Sequence, residues 1–161
     1  MKKISAVLLV VLVPLLVYSH THFITTYSIH KSNGLWVMKV NAAQSSLNKN
    51  LPQYFPEVDF SNISKKEYNE LVVQYFQENI CLVADDKYAF PLGGAAVRLG
   101  GHQTDLLFEL GDMPADASIL DLEIYCFSKT SNQQNIVKVA TENGRSYVIS
   151  EKTEFKMSID L

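Results

Sequence analysis

The chain has 161 residues, with 14 basic and 17 acidic side chains and 47% hydrophobic residues. Mild acidity without a basic run argues against nucleic acid or an anionic membrane surface as partner. The length suits one domain with a real core, and no low-complexity tract or fixed-period repeat divides it.

The first element is a leader. Met1-Lys2-Lys3 is a short positive start, and Ile4 to Tyr18 follow as 15 residues without charge, interrupted by Pro14. A spanning helix needs about 20 apolar residues, so this run suits the core of a secretory signal peptide better than an anchor. Val17-Tyr18-Ser19 offers a signal-peptidase site, so residues 1–19 are expected to be removed and His20 to become the first residue. An uncleaved anchor is the competing reading. No Cys lies near the boundary to take a lipid. Removing 19 of 161 residues leaves 142. The loss of Lys2 and Lys3 leaves 12 basic residues against 17 acidic, a net charge of −5. No stable membrane span is expected once the leader is gone.

The hairpin comes next. Phe23 to Ser32 and Leu35 to Ala43 flank Asn33-Gly34, a strong two-residue turn signal. Such a turn makes Tyr27 face Val40, Ile29 face Met38 and Thr25 face Ala42 on a largely apolar side. Ser28 then faces Lys39, and Thr26 faces Asn41, on a polar side. Residues 44–61, with Pro52 and Pro56, read as irregular. Ser64-Lys65-Lys66-Glu67 forms a capping box that opens a helix running to about Glu78. Tyr68, Leu71, Val72, Tyr75 and Phe76 make its apolar stripe, a core face rather than a ligand groove.

From Ile80 onward short alternating runs follow one another. Leu106, Phe108 and Leu110 share a face, as do Leu120, Leu122, Ile124 and Cys126. Asn135 to Thr141 and Ser146 to Ser150 suggest a second hairpin across Asn143-Gly144. The end alternates strictly, with Phe155, Met157, Ile159 and Leu161 against Lys156, Ser158 and Asp160. This pattern predicts a mainly β domain over 20–161. We expect an antiparallel, immunoglobulin-like β-sandwich of about eight or nine strands with one inserted amphipathic helix.

Two cysteines, Cys81 and Cys126, are open to two readings. In an oxidising compartment they can pair as a disulfide. Alternatively, both are free thiols packed as small apolar residues. As nucleophiles they are poor choices, because apolar strands raise a thiol pKa. Gly93-Gly94 and Gly100-Gly101 lack the lysine and the strand-to-helix context of a phosphate loop and read as turns. His102, Asp105 and Glu109 lie close in sequence, but their alternation with Leu106 and Phe108 marks a solvated strand face. No nucleophile elbow, zinc-protease helix or zinc-type cysteine pairing is present. The expectation is therefore a protein that is not an enzyme.

One metal site is suggested. Cleavage after Ser19 leaves a mature start of His20-Thr21-His22. A free amine, two backbone amides and the third residue's imidazole can wrap copper(II) or nickel(II) in a square plane. Alternatively, the amine and imidazole of His20 can form a copper brace with His22. The competing reading is of exposed histidines at a frayed end, with His30 on the same polar parity.

Gln133-Gln134-Asn135-Ile136-Val137, then Val139, Gly144 and a final alternating strand, resembles a family of small exported Gram-negative bacterial proteins catalogued as a domain of unknown function. The resemblance extends to the signal peptide and to the His-containing start of a strand ending in a tight hairpin. The family's usual His-Pro start corresponds to His20-Thr21 here. The resemblance implies export and a β-rich fold, and no activity. Two functions are carried forward. The first is a non-enzymatic periplasmic or extracellular module that binds an envelope protein or small ligand. The second is a copper-handling protein using His20 and His22.

Overall fold

The computed structural model of the protein describes residues 23–111, 114, 116–131, 133–140 and 146–161. The expected leader over residues 1–19, His20, His22 and the expected turn at Asn143-Gly144 lie outside the described residues.

Strands β1 (Ile24–Ser32) and β2 (Leu35–Ala43) form the expected hairpin. Asn33 at φ 51° and Gly34 at φ 84° occupy the left-handed region that a two-residue turn of this type needs. The register pairs Tyr27 with Val40, Ile29 with Met38 and Thr25 with Ala42, as the turn dictates. All six of these side chains are buried.

A helix follows where the sequence reads as irregular. Helix α1 (Gln44–Tyr54) starts at Ala43, which supplies no side-chain cap. Its first N–H, on Gln44, instead donates to the His102 carbonyl at 2.9 Å. Pro52 sits in the last turn, where its missing N–H costs one ladder bond. The inward face is Ser46, Leu47, Asn50 and Leu51. Two polar residues there break the apolar stripe.

Helix α2 (Lys65–Asn79) has the capping box in full. Glu67 N–H donates to Ser64 Oγ at 3.2 Å, and Ser64 N–H to Glu67 Oε2 at 2.7 Å. Its stripe turns inward at Val72, Tyr75 and Phe76. The Phe76 ring meets Tyr27, Phe108 and Phe127 at 6.5, 6.3 and 5.9 Å between centroids.

The other strands are β3 (Ile80–Ala84), β4 (Tyr88–Phe90), β5 (Leu92–Leu99), β6 (Gln103–Leu110), β7 (Ile119–Ile124), β8 (Gln134–Val139), β9 (Ser146–Ile149) and β10 (Lys156–Asp160). They form a six-stranded sheet, β5-β6-β2-β1-β8-β9, and a four-stranded sheet, β10-β7-β3-β4. One buried core joins the two sheets and both helices. The protein is thus a β-sandwich with ten strands and two helices among the described residues.

The immunoglobulin-like expectation holds at the level of two packed sheets, with two corrections beside the strand count. A second helix is present. One pairing is parallel: β1 runs alongside β8, Ile24 beside Gln134 through Ile29 beside Val139. Parallel neighbours need a long crossover, and here it is nearly the whole domain.

Candidate functional site

The segment from Tyr125 to Gln133 carries the chain from the four-stranded sheet to the six-stranded one. It is pinned at its start by Tyr125 N–H donating to the Asn79 carbonyl at 2.8 Å. Phe127, buried, takes φ 61°, uncommon for a bulky residue. Its N–H donates to the Tyr75 hydroxyl at 2.7 Å. Thr130 and Asn50 exchange hydrogen bonds at 3.0 and 3.2 Å. The Gln133 amide nitrogen donates to Thr25 Oγ1 at 3.1 Å and Asn135 Oδ1 at 3.3 Å. Asn135 in turn donates to the Cys126 carbonyl at 3.3 Å. Of the residues from Gln133 to Val137, Gln133, Asn135 and Val137 are buried, and Gln134 and Ile136 are half-buried. Each buried partner removed would strand another polar group at about 1–3 kcal/mol.

The two cysteines do not pair; both thiols are free. The strand register explains it. Ile80, Leu82 and Ala84 point into the core, so Cys81 between them projects outward, beside Glu123. Cys126 points inward and is fully buried. Burial pushes its thiol pKa far up, which leaves it an inert neutral group beside Tyr27. The Tyr27 phenol is raised in the same way, by burial first and then by Cys126.

The remaining sequence candidates are dispersed. Asp105 is bound by Asn41 Nδ2 at 2.7 Å and by Arg98, and these donors hold its carboxyl below the usual range. Glu109 projects outward from β6, as expected of a solvated face. His102 contributes its carbonyl to α1 and lines none of the clefts described below. His30 sits near the far end of β1. Among the described residues, no group of three or more His, Cys, Asp or Glu could hold a metal ion. No described helix is long and apolar enough to cross a membrane.

Two surface features remain. The first is an open cleft of about 390 Å³ between the Tyr125–Gln133 segment and the turn at Ser150 to Phe155. Ser128, Gln134, Glu151 and Lys152 give it polar walls beside the apolar Val148 and Phe155. The second is the edge of the six-stranded sheet. Among the described residues, strand β5 pairs with β6 on one side only. Its sequence, Leu-Gly-Gly-Ala-Ala-Val-Arg-Leu, bears one charge, and Arg98 spends that charge on Asp105. Helix α2 runs beside it, antiparallel. Gln77 donates to the Leu92 and Gly93 carbonyls at 3.0 and 2.9 Å, and Asn69, Glu70 and Val73 face Ala95 and Val97 across a groove of about 310 Å³.

Sequence reasoning missed this edge, because edge position is a property of sheet order. The run of small residues at 93–96 was its one sequence signal.

No protein-family model matches the sequence, and a comparison with curated proteins finds no relative.

Proposed function

We propose that the protein is exported to the periplasm or cell exterior and works there as a non-enzymatic interaction module. The observation that carries the reading is the open edge of β5. Sheet edges invite pairing with other chains, and proteins usually blunt them. Among the described residues three of the four edges are blunted: β4 has three residues, β9 has four, and β10 presents Lys156 and Asp160 outward. Strand β5 has eight residues and keeps an uncharged stretch from Leu92 to Val97. The family resemblance and the leader of residues 1–19 support the compartment. Two measurements test this reading. Intact mass of the envelope-purified protein should show a chain lacking the first 19 residues. Cross-linking in the envelope should recover the same partner in replicate, and repeated recovery of none counts against the proposal.

A second reading is copper handling by His20 and His22, supported by the spacing of the expected His20-Thr21-His22 start. That start directly precedes Phe23, whose carbonyl accepts from Gln134 N–H at 2.9 Å, so the chain is held at that point. Copper(II) titration of protein that begins at His20 tests it. One residue added ahead of His20 should weaken binding, since both modes need the amine to sit on His20 itself. Unchanged binding rejects the copper reading.

A further inference from the structure

We propose that the groove between β5 and α2 takes an extended peptide that adds as a seventh strand beyond β5, with a cationic side chain set against Glu70. This rests on the interaction reading above and names the chemistry of the partner.

The backbone comes first. Gly100 N–H donates to the Gln103 carbonyl at 2.9 Å, closing the β5–β6 turn. Counting back along the register from that bonded pair, antiparallel alternation turns Arg98 and Ala96 toward β6. Ala95, Val97 and Leu99 then point their N–H and C=O groups away from β6, toward the open side. At the start of the strand the protein fills this side itself, with the Gln77 amide on the Leu92 and Gly93 carbonyls. From Gly94 onward no such substitute is present among the described residues. Only an extended backbone meets donors and acceptors at this alternating spacing.

Side chains set the rest. Glycine at 93 and 94 and alanine at 95 and 96 leave the edge unshielded, so another backbone can reach hydrogen-bond distance. Val73, Ala95 and Val97 give an apolar floor for alternate side chains of the added strand. Among the described residues, Glu70 is the one charge lining the groove. Its contact with Lys66 is 3.7 Å long with both groups largely exposed, and such pairs are weak. A lysine or arginine on the incoming strand is therefore the complementary choice.

The test uses the mature protein and labelled peptides of about seven residues, roughly the span β5 can pair. One alternates Val and Thr around a central Lys, a twin has Glu at the centre, and a third has Pro there. The Lys peptide should saturate the protein below about 1 mM, with the Glu and Pro peptides roughly tenfold weaker. Glu70→Lys, on the exposed helix face, should reverse the preference between Lys and Glu. Val97→Pro removes an outward N–H without removing a bond to β6, and should abolish binding in a folded protein. No saturation by the Lys peptide, or the same Lys-over-Glu preference in Glu70→Lys, overturns the proposal. So does a doubled mass in solution that Val97→Pro returns to monomer, which would make the occupant a second copy. If an envelope partner cross-links equally to wild type and Val97→Pro, the interaction reading stands and this inference falls.

Discussion

Burial separates the two thiols chemically. Cys81 faces solvent on β3, and Cys126 is sealed in the core with its pKa raised. One thiol per folded chain should therefore react with a thiol-specific disulfide reagent, and the second only after denaturation. Two unreactive thiols in denaturant would show a bridge instead. Alternation along the strand would have placed Cys81 opposite Ile80 and Leu82. The sequence put Cys126 on the apolar face of Leu120, Leu122 and Ile124, and it is buried as that reading has it, but strand β7 ends at Ile124 and Cys126 lies in the turn beyond. Acid sensitivity also belongs to single residues. Asp85, at φ 50°, accepts from the Ser118 N–H and hydroxyl and the Ile119 N–H at 3.1, 2.8 and 3.0 Å. These donors lower its carboxyl pKa, with the Ser118 side chain first. A lowered folded pKa gives stability that is complete above the ordinary carboxylate range and lost as pH falls through the folded value. The urea midpoint of the wild type should thus drop between about pH 5 and pH 3, and Asp85→Asn should flatten that drop.

The two helices show what local sequence can and cannot specify. Helix α2 is legible because its start is local: Ser64 and Glu67 satisfy each other within one turn. Ser64→Ala should cost about 1 kcal/mol in chemical denaturation. Helix α1 is illegible for three reasons. Its first donor is satisfied by His102, far along the chain, its inward face includes Ser46 and Asn50, and Pro52 argues against a helix. Its packing shows in Leu51, fully buried, whose replacement by alanine should cost about 2–5 kcal/mol. If residues 44–54 were a loose surface segment, Leu51→Ala would change the midpoint little.

At the scale of the molecule, pairing order decides what is rigid. The hairpin register was fully legible because two residues set it. The neighbour on the other side of β1 was not, since β8 lies more than a hundred residues away and leaves no local trace. Strands β1 and β2 lie inside the six-stranded sheet and should hold the slowest-exchanging amides, while Ala95, Val97 and Leu99 on the β5 edge should exchange fast. Equal protection of both sets would mean that the edge is covered. The central place of β1 also bears on biosynthesis. A chain made from its N-terminus finishes the first hairpin at Ala43, but the strand that closes the other side of β1 ends at Val139. At ribosomal speeds of about 5–20 residues per second, that leaves roughly 5–20 s in which an apolar hairpin waits with its inner flank bare. The nascent chain therefore passes through a sticky stage that the finished protein hides, and a holding chaperone or continued threading through a translocon would meet it at that stage.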